Sequence, residues 1–128
     1  MAARIKYYFK DLILSIKMHF QHRFRGWSDL ELWNLDDTVS KWIVPRLKAF
    51  RANTIGYPPD IEFIDWQIEI GEMIFGFEFN DSEWYEKNVF PIKDPKEKEA
   101  KLNEYKSLCK RAEDGRILFA KRFNYLWW

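Results

Sequence analysis

The sequence predicts an all-α protein, a single compact bundle of about four main helices plus one short helix, in one helical domain over residues 1–128. Apolar residues recur at helical spacing in every long segment, and no stretch shows the strict alternation of a half-buried strand. Helix-start and helix-stop signals separate the segments. A chain of 128 residues has the usual size of one domain and can bury one hydrophobic core.

The first main helix is expected from Arg4 to Phe24. Its apolar residues fall at helical spacing, with lysines and arginines largely elsewhere. Such a basic amphipathic helix can pack its stripe on a core or lie on a membrane surface, and we favour the core. Gly26 is placed to end the helix. The stripe consists of Ile5, Tyr8, Phe9, Leu12, Ile13, Ile16, Phe20 and Phe24.

A short helix and the second main helix are expected next. The run Ser28-Asp29-Leu30-Glu31 matches a capping box and predicts a helix from Asp29 to about Trp33. Asn34 or Asp36 can cap the helix that follows. Pro45 removes a backbone hydrogen bond within that helix and predicts a kink. The expected buried face consists of Leu35, Val39, Trp42, Ile43, Leu47 and Phe50.

The third main helix is expected from Ile61 to about Phe77, after a loop rich in turn-forming residues, with Asp60 as its cap. Gly71 and Gly76 indicate close helix–helix approach. This helix carries two apolar stripes, so it should be central in a bundle or shared with another subunit. The stripes are Ile61, Ile64, Ile68 and Phe75, and Phe63, Trp66, Ile70, Ile74 and Phe77.

Residues 80–93 are expected to be irregular, with Pro91 near their end. Asp94-Pro95 then starts the last helix, with aspartate as cap and proline at the first helical position. Gly115 is expected to interrupt or kink it.

Composition excludes several classes of protein. A net charge of +1, with 47% hydrophobic and 32% charged residues, excludes a disordered chain and a strongly basic nucleic-acid binder. Aromatic residues make up 19%, which predicts an exposed aromatic patch. The single cysteine fits a reducing cytoplasm. We expect no signal peptide and no membrane partner.

The sequence contains no phosphate-binding glycine loop, nucleophile elbow or zinc-ligand signature. We therefore expect a non-enzymatic protein without cofactor or metal. The acidic run Asp29, Glu31, Asp36 and Asp37 could bind a divalent cation, but helix capping is the favoured interpretation. Elsewhere, Asp65 and Glu69 are expected to pair with Arg46 or Arg25.

The candidate ligand-binding residues combine aromatic rings with guanidinium groups, which suit a nucleotide or single-stranded nucleic acid. The competing interpretation is a tryptophan-rich helical core with surface cations. Nucleic acid itself is not favoured. The candidate residues are Arg25, Trp33, Arg46, Tyr57 and Trp66.

Four segments resemble uncharacterised small proteins of tailed bacteriophages: RGWSDLELWNLDDTVSKWIVPRLKAF, GYP, DWQIEIGEMIFGFEF and DGRILFAKRFNYLWW. The match covers roughly residues 25–79 and 112–127. It implies phage origin and a location in the host cytoplasm, and it implies no activity. Trp128 departs from the pattern, since the family usually has an acidic residue after the final tryptophan.

From these features we expect a phage-encoded binding protein that counters host defence, by sequestering a nucleotide-type signal or by blocking a host defence protein. The alternative is a structural or assembly protein of the virion or its packaging apparatus. Exposed apolar area also predicts a homodimer or higher closed oligomer, and the alternative is that Trp127 and Trp128 fold back onto the N-terminal helix, against Tyr8 and Leu12. The residues expected at that interface are Phe119, Phe123, Trp127 and Trp128.

Overall fold

The computed structural model describes the backbone of residues 2–127 and the side chains of residues 6–127. Within that range the protein is all-α, as predicted, with no strand. Its helices are α1 (Ala2–Arg25), α2 (Asp29–Trp33), α3 (Leu35–Asn53), α4 (Phe63–Glu78), α5 (Asp81–Asn88) and α6 (Pro95–Arg122), followed by a 3₁₀ turn at Phe123–Tyr125. None of the helices in residues 2–127 combines the length and the apolar character needed to cross a membrane.

The chain divides into two compact units, one up to Val39 and one from Ser40 onward. We call them the N-terminal and C-terminal units and describe each by itself. The single domain expected over residues 1–128 stays a prediction.

The N-terminal unit holds α1, α2 and the first residues of α3. Gly26 ends α1 with a φ of 80°, and its N–H donates to the His22 carbonyl at 2.9 Å, as expected of a C-terminal glycine. The Glu31 carboxylate accepts from the Ser28 N–H, as the capping-box prediction requires. Helix α2 has the predicted bounds.

Among residues 6–39, Ser28 is the one buried side chain, so this part of the protein has no hydrophobic core of its own. The expectation that the α1 stripe packs on a core is wrong. The described residues of the stripe are 48 to 79% exposed. Helical periodicity identified the stripe correctly, but it cannot show what covers it. Leu35 and Val39, expected to be buried, are also exposed.

The C-terminal unit contains the hydrophobic core, where α4 lies at the centre. Trp66, Ile70 and Met73 of this helix are fully buried. The Trp66 ring meets Phe50 of α3 edge to face, with centroids 6.3 Å apart. Helix α3 includes Pro45 and contributes Leu47 to the core, whereas Trp42, expected on the same face, is exposed.

Helices α4 and α6 cross in backbone contact through two glycines. A Cβ added to Gly115 would lie 2.2 Å from the Glu72 carbonyl oxygen, and one added to Gly76 would lie 2.8 Å from the Ala112 carbonyl oxygen. The close approach predicted at Gly76 is therefore confirmed. Gly115 does not interrupt α6, because the helix runs through it and uses it as the opposite half of this contact. Gly71 instead faces the flexible end of Arg51 at 3.5 Å.

Two helix starts differ from prediction. Helix α4 begins two residues late, at Phe63, and Asp60 binds Arg122 rather than capping it. Residues 81–88 form α5 where irregular chain was expected, because the Asn80 side chain accepts from the Glu83 N–H at 3.1 Å. Asp94 caps α6 as predicted.

Arginines of α6 hold it to α4 by ion pairs. Arg122 binds both Glu69 oxygens, at 2.8 and 3.1 Å, and both Asp60 oxygens, at 2.9 and 3.0 Å. Arg111 binds Glu72 through two nitrogens at 2.7 and 2.8 Å. Glu69 thus pairs with Arg122, and not with Arg46 or Arg25 as expected, because α6 is the helix that covers this side of α4.

Candidate functional site

The aromatic and cationic residues singled out in the sequence fall into two places, one in each unit. Arg25 and Trp33 belong to the N-terminal unit, and Arg46, Tyr57 and Trp66 belong to the C-terminal unit. Each place is built around an arginine lying over a tryptophan ring. We call them the Arg25 cluster (Lys17, Gln21, Arg25, Trp27 and Asp29) and the Arg46 cluster (Trp42 and Arg46).

In the Arg25 cluster, the turn after α1 brings its last residue back against Trp27 and Asp29. The Arg25 guanidinium lies 3.7 Å from the centroid of the Trp27 ring. Its Nε donates to the Trp27 carbonyl at 3.1 Å, and its terminal nitrogen pairs with Asp29. One arginine thereby organises both the turn and the start of α2.

Asp29 receives hydrogen bonds from several sides. The Gln21 amide donates to it at 2.8 Å, and Lys17 lies 3.3 Å away. The Gln21 hydrogen bond first, and Arg25 second, lower the pKa of Asp29 from 3.8 to about 2. The carboxylate is thus ionised at neutral pH and neutralises Arg25. Arg25 is consequently a poorer phosphate ligand than the sequence suggested.

Trp33 ends α2 and is the most exposed tryptophan of residues 6–127, at 84%. Leu30 and Leu32 of the same short helix are more than half exposed. An exposed tryptophan flanked by leucines is typical of a protein-binding hot spot before its partner covers it.

In the Arg46 cluster, one turn of α3 separates the two residues. The Arg46 guanidinium lies 4.2 Å from the centroid of the Trp42 ring, and its Nη1 donates to the Trp42 carbonyl at 2.7 Å. The Trp42 ring remains more than half exposed. Arg46 makes no ion pair with a carboxylate of residues 6–127, so its charge is available to a partner.

The two remaining candidates have different surroundings. Tyr57 lies in the loop between α3 and α4, half exposed, with its ring 6.1 Å from that of Phe63. Trp66 is 0% exposed and lies at the centre of the core, so a ligand cannot stack on it without opening the core. Its assignment as a ligand-binding residue is corrected to a core residue. Its Nε1–H has no hydrogen-bond partner within the described residues.

Sequence reasoning left Trp27, Trp42 and Gln21 out of the candidate set. The four-residue spacing of Trp42 from Arg46 was a usable signal, since residues four apart are neighbours on a helix. Trp27 lies two residues after Arg25, beyond the end of α1, and offered no such signal. Gln21 had no such signal, because the chain must first turn at Gly26 to bring α2 beside it.

Surface grooves among the described residues include two in the C-terminal unit. One of about 580 Å³ is lined by Lys48, Arg51 and Gln67 among others, and one of about 380 Å³ by Lys110, Arg111 and Asp114 among others. Both are open, whereas small-ligand sites normally enclose most of the ligand surface. No group of three or more His, Cys, Asp or Glu side chains in the described part of the chain is arranged to hold a metal ion.

The described surface therefore has exposed tryptophans that each lie under an arginine at Trp27 and Trp42, and both grooves described above are open. Exposed rings beside cations are suited to contact with another macromolecule. Compared with protein-family models, with curated proteins and with solved structures, the chain matches none.

Proposed function

We propose that this is a non-enzymatic, phage-encoded binding protein that blocks a host defence protein in the cytoplasm of the infected cell. The observation that carries the proposal is the exposure of Trp33, Trp27 and Trp42, the last two each under an arginine. Tryptophan and arginine are the residues most enriched where binding energy concentrates in protein interfaces. The phage origin rests on the sequence resemblance alone.

Blocking a protein is favoured over sequestering a nucleotide-type signal. A nucleotide needs several cations that are free to meet phosphate, and Arg25, unlike Arg46, is already paired with Asp29. It also needs a stacking face, and the Arg25 guanidinium already covers one face of the Trp27 ring. A protein partner needs neither a free cation nor a free ring face. It can bury the exposed edges of Arg25 and Trp27 together with the Trp33 ring.

The test compares phage carrying the wild-type gene, Trp33→Ala or Phe90→Ala on hosts with and without defence systems. Phe90 is an exposed aromatic residue outside both clusters, so its variant controls for loss of surface aromatic area. We expect Trp33→Ala to lower plating efficiency at least tenfold on a defended host only, and Phe90→Ala to have no effect. Equal plating of all three on every host would overturn the proposal.

Calorimetry against a panel of cyclic oligonucleotides tests the sequestering version directly. No heat of binding is expected at micromolar protein. Saturable binding that Arg46→Ala abolishes would instead assign the protein to nucleotide sequestration, and the protein-blocking version would fail.

A structural or assembly role in the virion is the second candidate, favoured by the exposed aromatic residues Phe123 and Trp127 near the C-terminus. Trp128, which belongs to the same expected interface, lies outside the described residues. Mass spectrometry of purified particles discriminates the two roles. Stoichiometric presence in the virion supports the structural role, and absence supports action in the host cell.

A further inference from the structure

The apolar stripe of α1 and the outer face of α4 are both exposed, and they carry opposite charge. Residues 2–25 contain six Lys and Arg and one Asp, a net charge of +5 in a chain whose total is +1, so the remainder carries −4. Ile64 and Ile68, one turn apart on α4, are 69% and 57% exposed. Asp65, beside them, makes no ion pair with any of residues 6–127.

We propose that the stripe of α1 in one copy of the protein docks on the outer face of α4 in a second copy, and that the reciprocal contact closes a two-fold dimer. Charge complementarity favours a second copy as the partner, because α1 is strongly basic and the α4 face is flanked by carboxylates. Pairing α1 with α1 would instead set two cationic helices against each other.

The relative direction of α1 and the α4 helix of the second copy follows from the position of the charged residues beside each apolar stripe. In α1, Lys10 directly follows Phe9 and Lys17 directly follows Ile16. In α4, Asp65 directly follows Ile64. The charged residues thus lie on the same rotational side of both stripes, since each residue advances both helices by the same angle. Facing helices bring the same rotational sides together when they run antiparallel.

An antiparallel arrangement also matches in length. Lys10 and Lys17 are seven residues apart, as are Asp65 and Glu72, which places both pairs about 10 Å apart along their helices. One register therefore sets Lys17 beside Asp65 and Lys10 beside Glu72. Two of these four groups already have a partner within the chain, since Lys17 lies 3.3 Å from Asp29 and Glu72 pairs with Arg111.

The same register places the apolar residues in contact. Along the helix axes it brings Ile16 within about 3 Å of Ile64, and Leu12 and Ile13 within about 3 Å of Ile68. Two such contacts in a two-fold dimer double the buried area, which helps to reach the roughly 1,200–2,000 Å² of a stable interface. The α1 lysines also border the stripe on one side only, which suits a protein face with carboxylates on one side better than a lipid surface.

The test uses the full chain and three variants, Ile16→Asp, Leu14→Asp and Ile64→Asp. Ile16 and Leu14 are 48% and 51% exposed and lie on opposite sides of α1, so they form a matched pair with similar effects on helix propensity. Sedimentation equilibrium should show a wild-type dimer. Ile16→Asp and Ile64→Asp should raise its dissociation constant at least tenfold, and Leu14→Asp less than about twofold.

Ile64→Asp is the decisive variant, since an α1–α1 dimer would not respond to it. An unchanged dimer for Ile64→Asp, or equal weakening by Leu14→Asp and Ile16→Asp, would overturn the proposal. Mixing Ile16→Asp with Ile64→Asp should restore part of the association, because the mixed dimer keeps one intact contact.

Zero-length carboxyl–amine cross-linking of mixed ¹⁴N and ¹⁵N chains locates the contact. Links from Lys17 to Asp65 that join light and heavy chains are expected. The same link within one chain of a monomer would overturn the proposal. So would a monomer that sediments with vesicles of anionic lipid, because α1 would then be covered by a membrane surface.

Discussion

The contact between Gly115 and Gly76 makes Gly115→Ala the most informative stability variant. The new Cβ would meet backbone atoms, at 2.2 Å from the Glu72 carbonyl oxygen and 3.2 Å from the Gly76 Cα. Backbone cannot rotate away as a side chain can, so α4 and α6 must separate by about 1 Å to restore an ordinary contact distance. That movement occurs beside the buried residues Met73 and Ile74, which lie on the same helix as Gly76.

A separation of about 1 Å costs a quarter to a half of each dispersion contact across the gap, and overpacked cores typically lose about 1–3 kcal/mol or more. Alanine returns about 1 kcal/mol of helix propensity. Because the clash is with backbone, we expect the upper part of that range and a net loss of about 1–2 kcal/mol. At roughly 5 °C per kcal/mol for a unit of this size, the Tm should fall by about 5–10 °C.

Gly71→Ala is the matched control. It is also a glycine inside a helix, but its Cβ would lie 3.5 Å from the movable Arg51 guanidinium, an ordinary contact. This variant should be neutral or stabilised by up to about 1 kcal/mol. Thermal unfolding followed by circular dichroism gives both values. A Gly115→Ala protein as stable as Gly71→Ala would refute the backbone contact.

Three further predictions concern charged groups. Arg122→Ala should lower the free energy of unfolding by about 1–3 kcal/mol, measured in urea, because Arg122 and Glu69 are only 15% and 22% exposed and Glu69 would lose its partner. Arg111→Ala should cost less than about 1 kcal/mol in the same assay, since its pair is more exposed, and a larger loss would contradict this contrast. The pKa of Asp29, about 2 in the folded protein, lies below its ordinary 3.8. The Asp29 carboxylate should therefore contribute fully to the stability of the α1–α2 junction above about pH 4, and this contribution should be lost as the pH falls toward 2. Gln21→Ala should raise that pKa, which an NMR titration of the Asp29 carboxyl carbon measures. An unchanged titration would exclude Gln21 as the main cause.

Local signals in the sequence predicted local structure well. The capping box at Ser28 gave the bounds of α2, and Asp94-Pro95 gave the start of α6, because both depend on residues within one turn of each other. Helix α5 was missed because its cap, Asn80, stands before a polar run with no clear apolar stripe, and Pro91 suggested irregular chain.

Features set by tertiary contact were beyond the sequence. A periodic stripe looks the same whether a core or solvent covers it, so the exposure of α1 could not be predicted. Trp66 and Trp33 likewise have similar sequence surroundings and opposite burial. The choice of Arg122 as the partner of Glu69 depended on which helix packs against α4, since these residues are 53 positions apart.

The absence of a buried apolar side chain from residues 6–39 has a consequence for how much folded protein a cell contains. Because most of the stability of a helix comes from packing its amphipathic face, the ordering of the 24-residue α1 in the proposed dimer would draw on the free energy of association. Folding of this segment then depends on protein concentration. When the protein concentration is below the dissociation constant of the proposed dimer, α1 would be exposed to proteases that cleave after lysine and arginine. Monomers would then be degraded before dimers.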